Sequence, residues 1–288
     1  MTPTTTSTKA RATEPATGDH RERRDHTRLR EQVADLKLHG LLAHWDELDE
    51  PALAQLAQWV GWESEERQQR GLQRRLRAAR IGRFKPLADF DWEWPAQCDR
   101  DAIMALMRLS FLAEGLNIVL VGPNGVGKTL IAQNLAYQAV MQGHSALFTT
   151  AAQMLTDLAG QDGDLALRRR LAHYARPDLL VIDEIGYLSY GTHHADLLFE
   201  IINRRYERKP TLITTNRPFA EWGQVFPNAA CVVSIVDRLI HHAEVLVIEG
   251  ESYRMREAKE RAAQKAAAKR RGRKAQKAAD DTITENRP

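Results

Sequence analysis

Cysteine is nearly missing from this chain: Cys98 and Cys231 are the only two. Two cysteines so far apart build neither a disulfide framework nor a zinc site. They read as free thiols of a reducing compartment. No apolar run approaches the roughly 20 residues of a membrane helix. The N-terminus also lacks the apolar stretch of a secretory leader. These gaps argue against membrane and secreted classes, and a cytoplasmic protein is expected. Histidine is present but poorly arranged for metal. His193-His194 and His241-His242 are adjacent pairs, and neighbours on a helix point apart. No zinc-binding pattern accompanies them. Net charge is small, +3, yet eleven Lys/Arg against two Glu fall between Arg254 and Lys277. Such clustering points to a polyanionic partner more than the total does.

Hydrophobic residues make up 43% of the 288, enough for a packed core. Residues 1–25 are rich in Thr, Ala, Pro and charge and are expected to be disordered. From His26, Val33, Leu36, Leu41, Leu42, Trp45 and Leu48 recur at helical spacing. Pro51 suits the first turn of a second helix, and a third, charged helix is expected over about 63–79. Residues 26–83 thus read as a small all-helical domain, with Trp45, Trp59 and Trp62 assigned to its core. Residues 84–98, with Pro86 and Pro95, read as a linker. Over 99–256 the grammar changes. A helix is expected at about 99–113. Short apolar runs follow at 117–121, 146–149, 179–182, 212–215 and 245–248, and helical patterns lie between them. Alternation of strand and helix predicts an α/β fold with a central parallel sheet. Residues 257–288 read as a basic tail, with a helical extension at its start.

Gly122-Pro123-Asn124-Gly125-Val126-Gly127-Lys128-Thr129 matches G-x-x-x-x-G-K-[ST] in full. Its glycines let successive N–H groups face phosphate oxygens, and the helix that follows adds its positive end. Lys128 is placed to reach the β- and γ-phosphates, and the Thr129 hydroxyl to ligate Mg²⁺. A strand precedes the loop and an amphipathic helix beginning with Leu130 follows it, as the motif requires. These residues, Gly122 through Leu130, are expected to bind ATP. Leu179-Leu180-Val181-Ile182-Asp183-Glu184 is a buried strand ending in two carboxylates, at the sheet edge where such folds place ligands. Asp183 is expected to hold Mg²⁺ and Glu184 to act as general base on the attacking water. Asn216 ends the next strand. Beside the phosphate loop and the acidic strand end it suits a sensor of the γ-phosphate or lytic water; taken alone it would suit a turn before Pro218.

Longer segments carry a resemblance. Ile182-Asp183-Glu184-Ile185-Gly186-Tyr187-Leu188, Ile213-Thr214-Thr215-Asn216-Arg217-Pro218-Phe219-Ala220-Glu221-Trp222, Asp237-Arg238-Leu239-Ile240-His241-His242 and Ile248-Glu249-Gly250-Glu251-Ser252-Tyr253-Arg254 resemble IstB-type ATPases. These are helper proteins of insertion-sequence transposition, similar to the DnaC helicase loader and more distantly to DnaA. The resemblance spans about residues 30–257. It implies a P-loop NTPase fold of AAA+ type with a small helical N-terminal domain, and an ATPase that forms ATP-dependent homo-oligomers. It also implies binding of DNA and a cognate transposase to select or prepare target DNA. By position it makes Lys128 and Thr129 the Walker A pair, Asp183 and Glu184 the Walker B pair and Asn216 the first sensor. Arg238 lies where relatives carry an arginine finger, and Arg254 near a second sensor. On its residues alone Arg238 leaves an apolar helix stripe and points outward, which also suits a solvated arginine paired with Asp237 or Glu244.

Two basic surfaces remain. Arg67, Arg70, Arg74, Arg75, Arg77, Arg80, Arg83 and Lys85 crowd one helix and its exit, with acids before them, which also suits the helix dipole. The Lys/Arg-and-Ala tail over 265–277 fits phosphate neutralisation or simple solubility. Together they predict DNA binding largely without sequence preference. A helicase-loader role is the alternative that shares every ATP-site residue.

Overall fold

The computed structural model describes residues 18–187 and 190–265. The disorder expected over most of 1–25, the tail beyond 265 and Leu188 of the quoted segments lie outside the described residues. Contacts divide the chain into two compact units, Met1–Gln73 and Arg74–Pro288.

In the first unit α1 (Gly18–Asp35) is followed by a short α2 (His39–Ala43) and the start of α3 (Glu50–Ala79). Leu29, Val33 and Leu36 of α1 and its exit bury against Leu53, Leu56 and Val60 of α3, with Trp45 and Leu48 packed on this cluster. The single helix expected from Val33 to Leu48 is broken at Lys37, whose φ of 59° is left-handed. The second and third helices expected after Pro51 are instead one helix of 30 residues. The Asp49 carboxylate accepts the Ala52 N–H at 3.0 Å and caps its start. Trp59 and Trp62, assigned to the core from sequence, are 54% and 59% exposed. Around α3, Trp62 lies nearly opposite Leu53, Leu56 and Val60, and Trp59 about a quarter-turn from them.

The second unit holds the sheet. Strands β1 (Asn117–Val121), β2 (Ala146–Thr150), β3 (Leu179–Ile185), β4 (Thr211–Thr215) and β5 (Ala243–Val247) pair in the order β2-β3-β4-β1-β5. Every pairing is parallel. The helices between them are α6 (Lys128–Met141), α7 (Ala151–Ala159), α8 (Asp164–Ala175), α9 (Thr192–Arg205), α10 (Trp222–Val225) and α11 (Ala229–His241). Upstream lie α4 (Arg100–Leu106) and α5 (Ser110–Glu114). They replace the one helix expected there, because Leu109 is left-handed at φ 63°. Leu147, Leu180, Ile182 and Ile213 share a core with residues of α7, α8, α9 and α11. The alternate residues Leu179, Val181 and Leu212 are equally buried, as strands covered on both faces require. α6 packs across β2, β3 and β4.

Arg205 closes α9 and is 2% exposed. Its guanidinium donates to the carbonyls of Ala175 (3.0 Å), Pro177 (2.8 Å), Asp178 (3.3 Å) and Pro210, and to the Thr211 hydroxyl (3.0 Å). It thereby ties the end of α8 to the starts of β3 and β4, far from the sheet's other edge. Residues 253–265 form a last helix, α12, which extends past residue 257, where the tail is expected to begin. No helix among the described residues is long and apolar enough to cross a membrane.

Candidate functional site: a cleft over the phosphate loop

All five strands end on one edge of the sheet, and consecutive strands β1 and β2 lie apart in it. The crevice beyond β1 is thus a topological switch point, where open α/β sheets bind ligands. The loop 122–127 leaves β1 there and turns into α6. Gly125 and Gly127 take left-handed φ values of 83° and 104°. A Cβ at Gly125 would lie 2.2 Å from the Ser252 hydroxyl, and one at Gly127 2.4 Å from the Phe90 ring. The left-handed backbone favours glycine at both, and any side chain there would have to displace Ser252 or Phe90.

Lys128 opens α6 and is 8% exposed. Its ammonium donates to the Gly122 and Pro123 carbonyls at 2.7 and 2.8 Å. Burial pulls its pKa down to about 8; the Asp183 and Glu184 carboxylates pull it up, and Arg254 adds to the lowering. Asp183 is 3% exposed. Burial raises its carboxyl pKa, against the hydroxyls of Thr214 and Thr129 and the Lys128 ammonium, which favour the charged form. The Thr129 hydroxyl lies 3.1 Å from Asp183 Oδ1. Glu184 follows in a left-handed backbone conformation, φ 63°, and its side chain lines the cleft. Asn216 lines it too. Its Oδ1 is buried without a hydrogen-bond partner, an acceptor whose hydrogen bond is left unfilled.

The cleft measures about 400 Å³ and is lined by Asn124 through Leu130, Glu184, Asn216 and Arg254, so the structure brings most of the sequence-predicted residues together. Asp183 sits buried beneath it. Arg254 stands in the first turn of α12. Arg238 is elsewhere: on α11, half-buried, with its guanidinium 4.8 Å from the Phe199 ring centre and donating to the Ser234 carbonyl at 3.2 Å. Among the described residues it makes no ion pair with Asp237 or Glu244.

Sequence reasoning missed one wall of the cleft. The segment read as a linker contributes Lys85, Asp89, Phe90, Asp91 and Trp94. The buried Asn134 side chain of α6 holds it, accepting from Leu87 N (3.0 Å) and donating to the Lys85 and Leu130 carbonyls (3.0 and 2.8 Å). α12 and the residues just before it hold it from the other side. Trp94 Nε1 donates to the Glu251 carbonyl at 2.9 Å, Arg256 lies 4.4 Å from the Trp94 ring centre, and Asp91 pairs with Arg256 at 3.1 Å. The signal was present as Phe84, Phe90, Trp92 and Trp94, too many aromatics for a solvated connection.

These donors fit a magnesium–nucleotide complex. A hydroxyl and a carboxylate in contact are hard oxygen ligands, and Mg²⁺ is usually held by one or two such groups plus substrate phosphates. The loop, lysine and α6 N-terminus supply the matching anion site. A model of the IstB-like ATP binding protein family matches residues 31–262. The chain belongs to this family. The insertion sequence IS21 ATP-binding protein of Pseudomonas aeruginosa is 39% identical over 191 residues, 66% of this chain and 72% of that one. An insertion sequence ATP-binding protein of Sinorhizobium fredii is 34% identical over 249 residues, covering 82% of each. Among solved structures, DnaI is similar at 22% identity with a TM-score of 0.49, over 58% of this chain and 92% of that one. ATP binding comes with membership of the IstB-like family, and the cleft over residues 122–129 is its candidate seat.

Proposed function

We propose that this IstB-like protein is a helper ATPase of DNA transposition. It binds Mg-ATP, assembles with it into homo-oligomers, and engages DNA and a cognate transposase in the cytoplasm. The observation that carries the hydrolytic reading is the convergence of Lys128, Thr129, Glu184 and Asn216 on one cleft, with Asp183 in contact with Thr129 below it. The insertion-sequence setting of its relatives supports the transposition reading.

In this reading the N–H groups of 124–129 and the Lys128 ammonium bind the β- and γ-phosphates. Thr129 and Asp183 would hold magnesium, which when bound neutralises phosphate charge. Glu184 takes a proton from the attacking water, and the Asn216 side chain orients that water. Phe90 and Trp94 offer aromatic faces to the base. Arg254 adds positive charge at the phosphate end. Arg238 lies outside the cleft of its own chain, so it serves as a finger only to a neighbouring subunit's nucleotide.

Turnover with and without DNA tests this. Glu184→Gln is expected to bind ATP normally and to lose turnover by roughly 10²-fold or more. Arg238→Ala is expected to bind ATP normally and lose most of any DNA-stimulated turnover. Wild-type turnover in Glu184→Gln removes the base assignment, and wild-type stimulation in Arg238→Ala removes the finger.

A further inference from the structure

Thr214 sits where the two acids of the cleft meet the neighbouring strand. β3 pairs with β4 at Ile182–Ile213, and pairing resumes at Ile185–Thr215 with a register shift between. Asp183 and Glu184 therefore stand against the single residue Thr214, which is the geometry of a β-bulge. Within it Glu184 adopts φ 63°, a conformation a non-glycine residue keeps only when its surroundings fix it.

A side chain supplies that fixing. The Glu184 N–H donates to Thr214 Oγ1 at 2.9 Å. The same hydroxyl donates its own proton to Asp183 Oδ1. A charged carboxylate only accepts and a backbone N–H only donates, so the atom between them must do both, as a hydroxyl does. Thr214 is 1% exposed at the floor of the cleft, so little solvent is at hand to take over either bond. Asp183 Oδ1 in turn accepts from Thr129. The turn is held at its far end as well. Arg217 Nε donates to the Gly186 carbonyl at 3.3 Å, and a Cβ at Gly186 would lie 3.0 Å from Asn216 Oδ1.

We infer that Thr214 is a positioning residue for ATP turnover. Through one hydroxyl it sets the orientation of Asp183, which holds magnesium, and the left-handed backbone that aims Glu184 at the water. It touches neither reacting atom. Metal capture and water activation are thereby joined through β4 rather than along β3 alone. The inference rests on the proposed roles of Asp183 and Glu184.

Thr214→Val keeps the shape and removes the hydroxyl; Thr214→Ser keeps the hydroxyl. Two measurements separate them: kcat, and the magnesium concentration giving half the full gain in affinity for a fluorescent ATP analogue. In Thr214→Val both are expected to worsen by roughly 10- to 100-fold, with magnesium-free affinity for the analogue unchanged. Thr214→Ser is expected to stay within a few-fold of wild type in both. Wild-type values in Thr214→Val overturn the inference. So does equal loss in the folded Ser and Val variants, which would assign the effect to packing. If the valine chain does not fold, Thr214→Ala takes its place in the same comparison. A wild type that binds Mg-ATP without turning it over would defeat the hydrolytic reading, and the magnesium titration would still decide the role of Thr214.

Discussion

At Lys128 two demands conflict. The side chain must be buried to lie under the phosphate loop, and it must be charged to hold a triphosphate. Burial brings its pKa to about 8 in the nucleotide-free protein. An added triphosphate favours the ammonium form, so the pKa rises on binding. The sign follows by linkage: near pH 8 the free lysine is about half neutral and ATP binding takes up protons, while near pH 6.5 it is already charged and takes up few. Affinity is expected to be full below pH 8 and to fall as pH rises through 8 towards the higher pKa of the complex. Calorimetry at pH 8 in two buffers of different ionisation enthalpy checks this. Identical heats in both would show that no proton is taken up.

Among the elements, the wall built by residues 84–97 makes the clearest demand. Asn134→Leu keeps side-chain volume and removes three hydrogen bonds to the backbone of that wall and its own helix. Each such bond contributes about 1 kcal/mol, so ATP affinity is expected to fall by about tenfold or more. Affinity for pyrophosphate, which reaches only the loop, is expected to hold. Equal losses for both ligands would place the damage in the loop instead.

The same elements show what was legible in the sequence. Strands β1 to β4 read clearly because residues such as Val119, Val181 and Leu212 are apolar and buried on both faces of the sheet; β5, at the sheet's edge, has no buried residue and read from its apolar run alone. The phosphate loop reads clearly because its chemistry is contiguous. The breaks at Lys37 and Leu109 do not, since neither is a residue that favours a left-handed turn. Nor did the exposure of Trp59 and Trp62, which depends on which face of α3 meets α1. Thr214 and the Phe90–Trp94 wall reach the cleft only through packing between segments distant along the chain, which periodicity cannot reveal.

At the scale of the whole molecule, charge is spread unevenly. On α3, Arg67 and Arg70 are each paired with a glutamate one turn earlier, at 2.6 Å, while Arg74 and Arg77 are exposed. The sequence adds the basic run beyond α12. Deleting residues 265–288 is expected to weaken DNA binding and to flatten its salt dependence, since fewer phosphate charges are neutralised. An unchanged slope of affinity against salt would remove the tail as a DNA arm. None of this matters unless the cleft holds nucleotide. Equilibrium binding of ATP, with magnesium present, to the wild type and to Lys128→Ala is the most direct test. Saturable binding to the wild type, lost or nearly lost in the variant, is the predicted result. No binding to the wild type, or equal binding to both, would contradict the account.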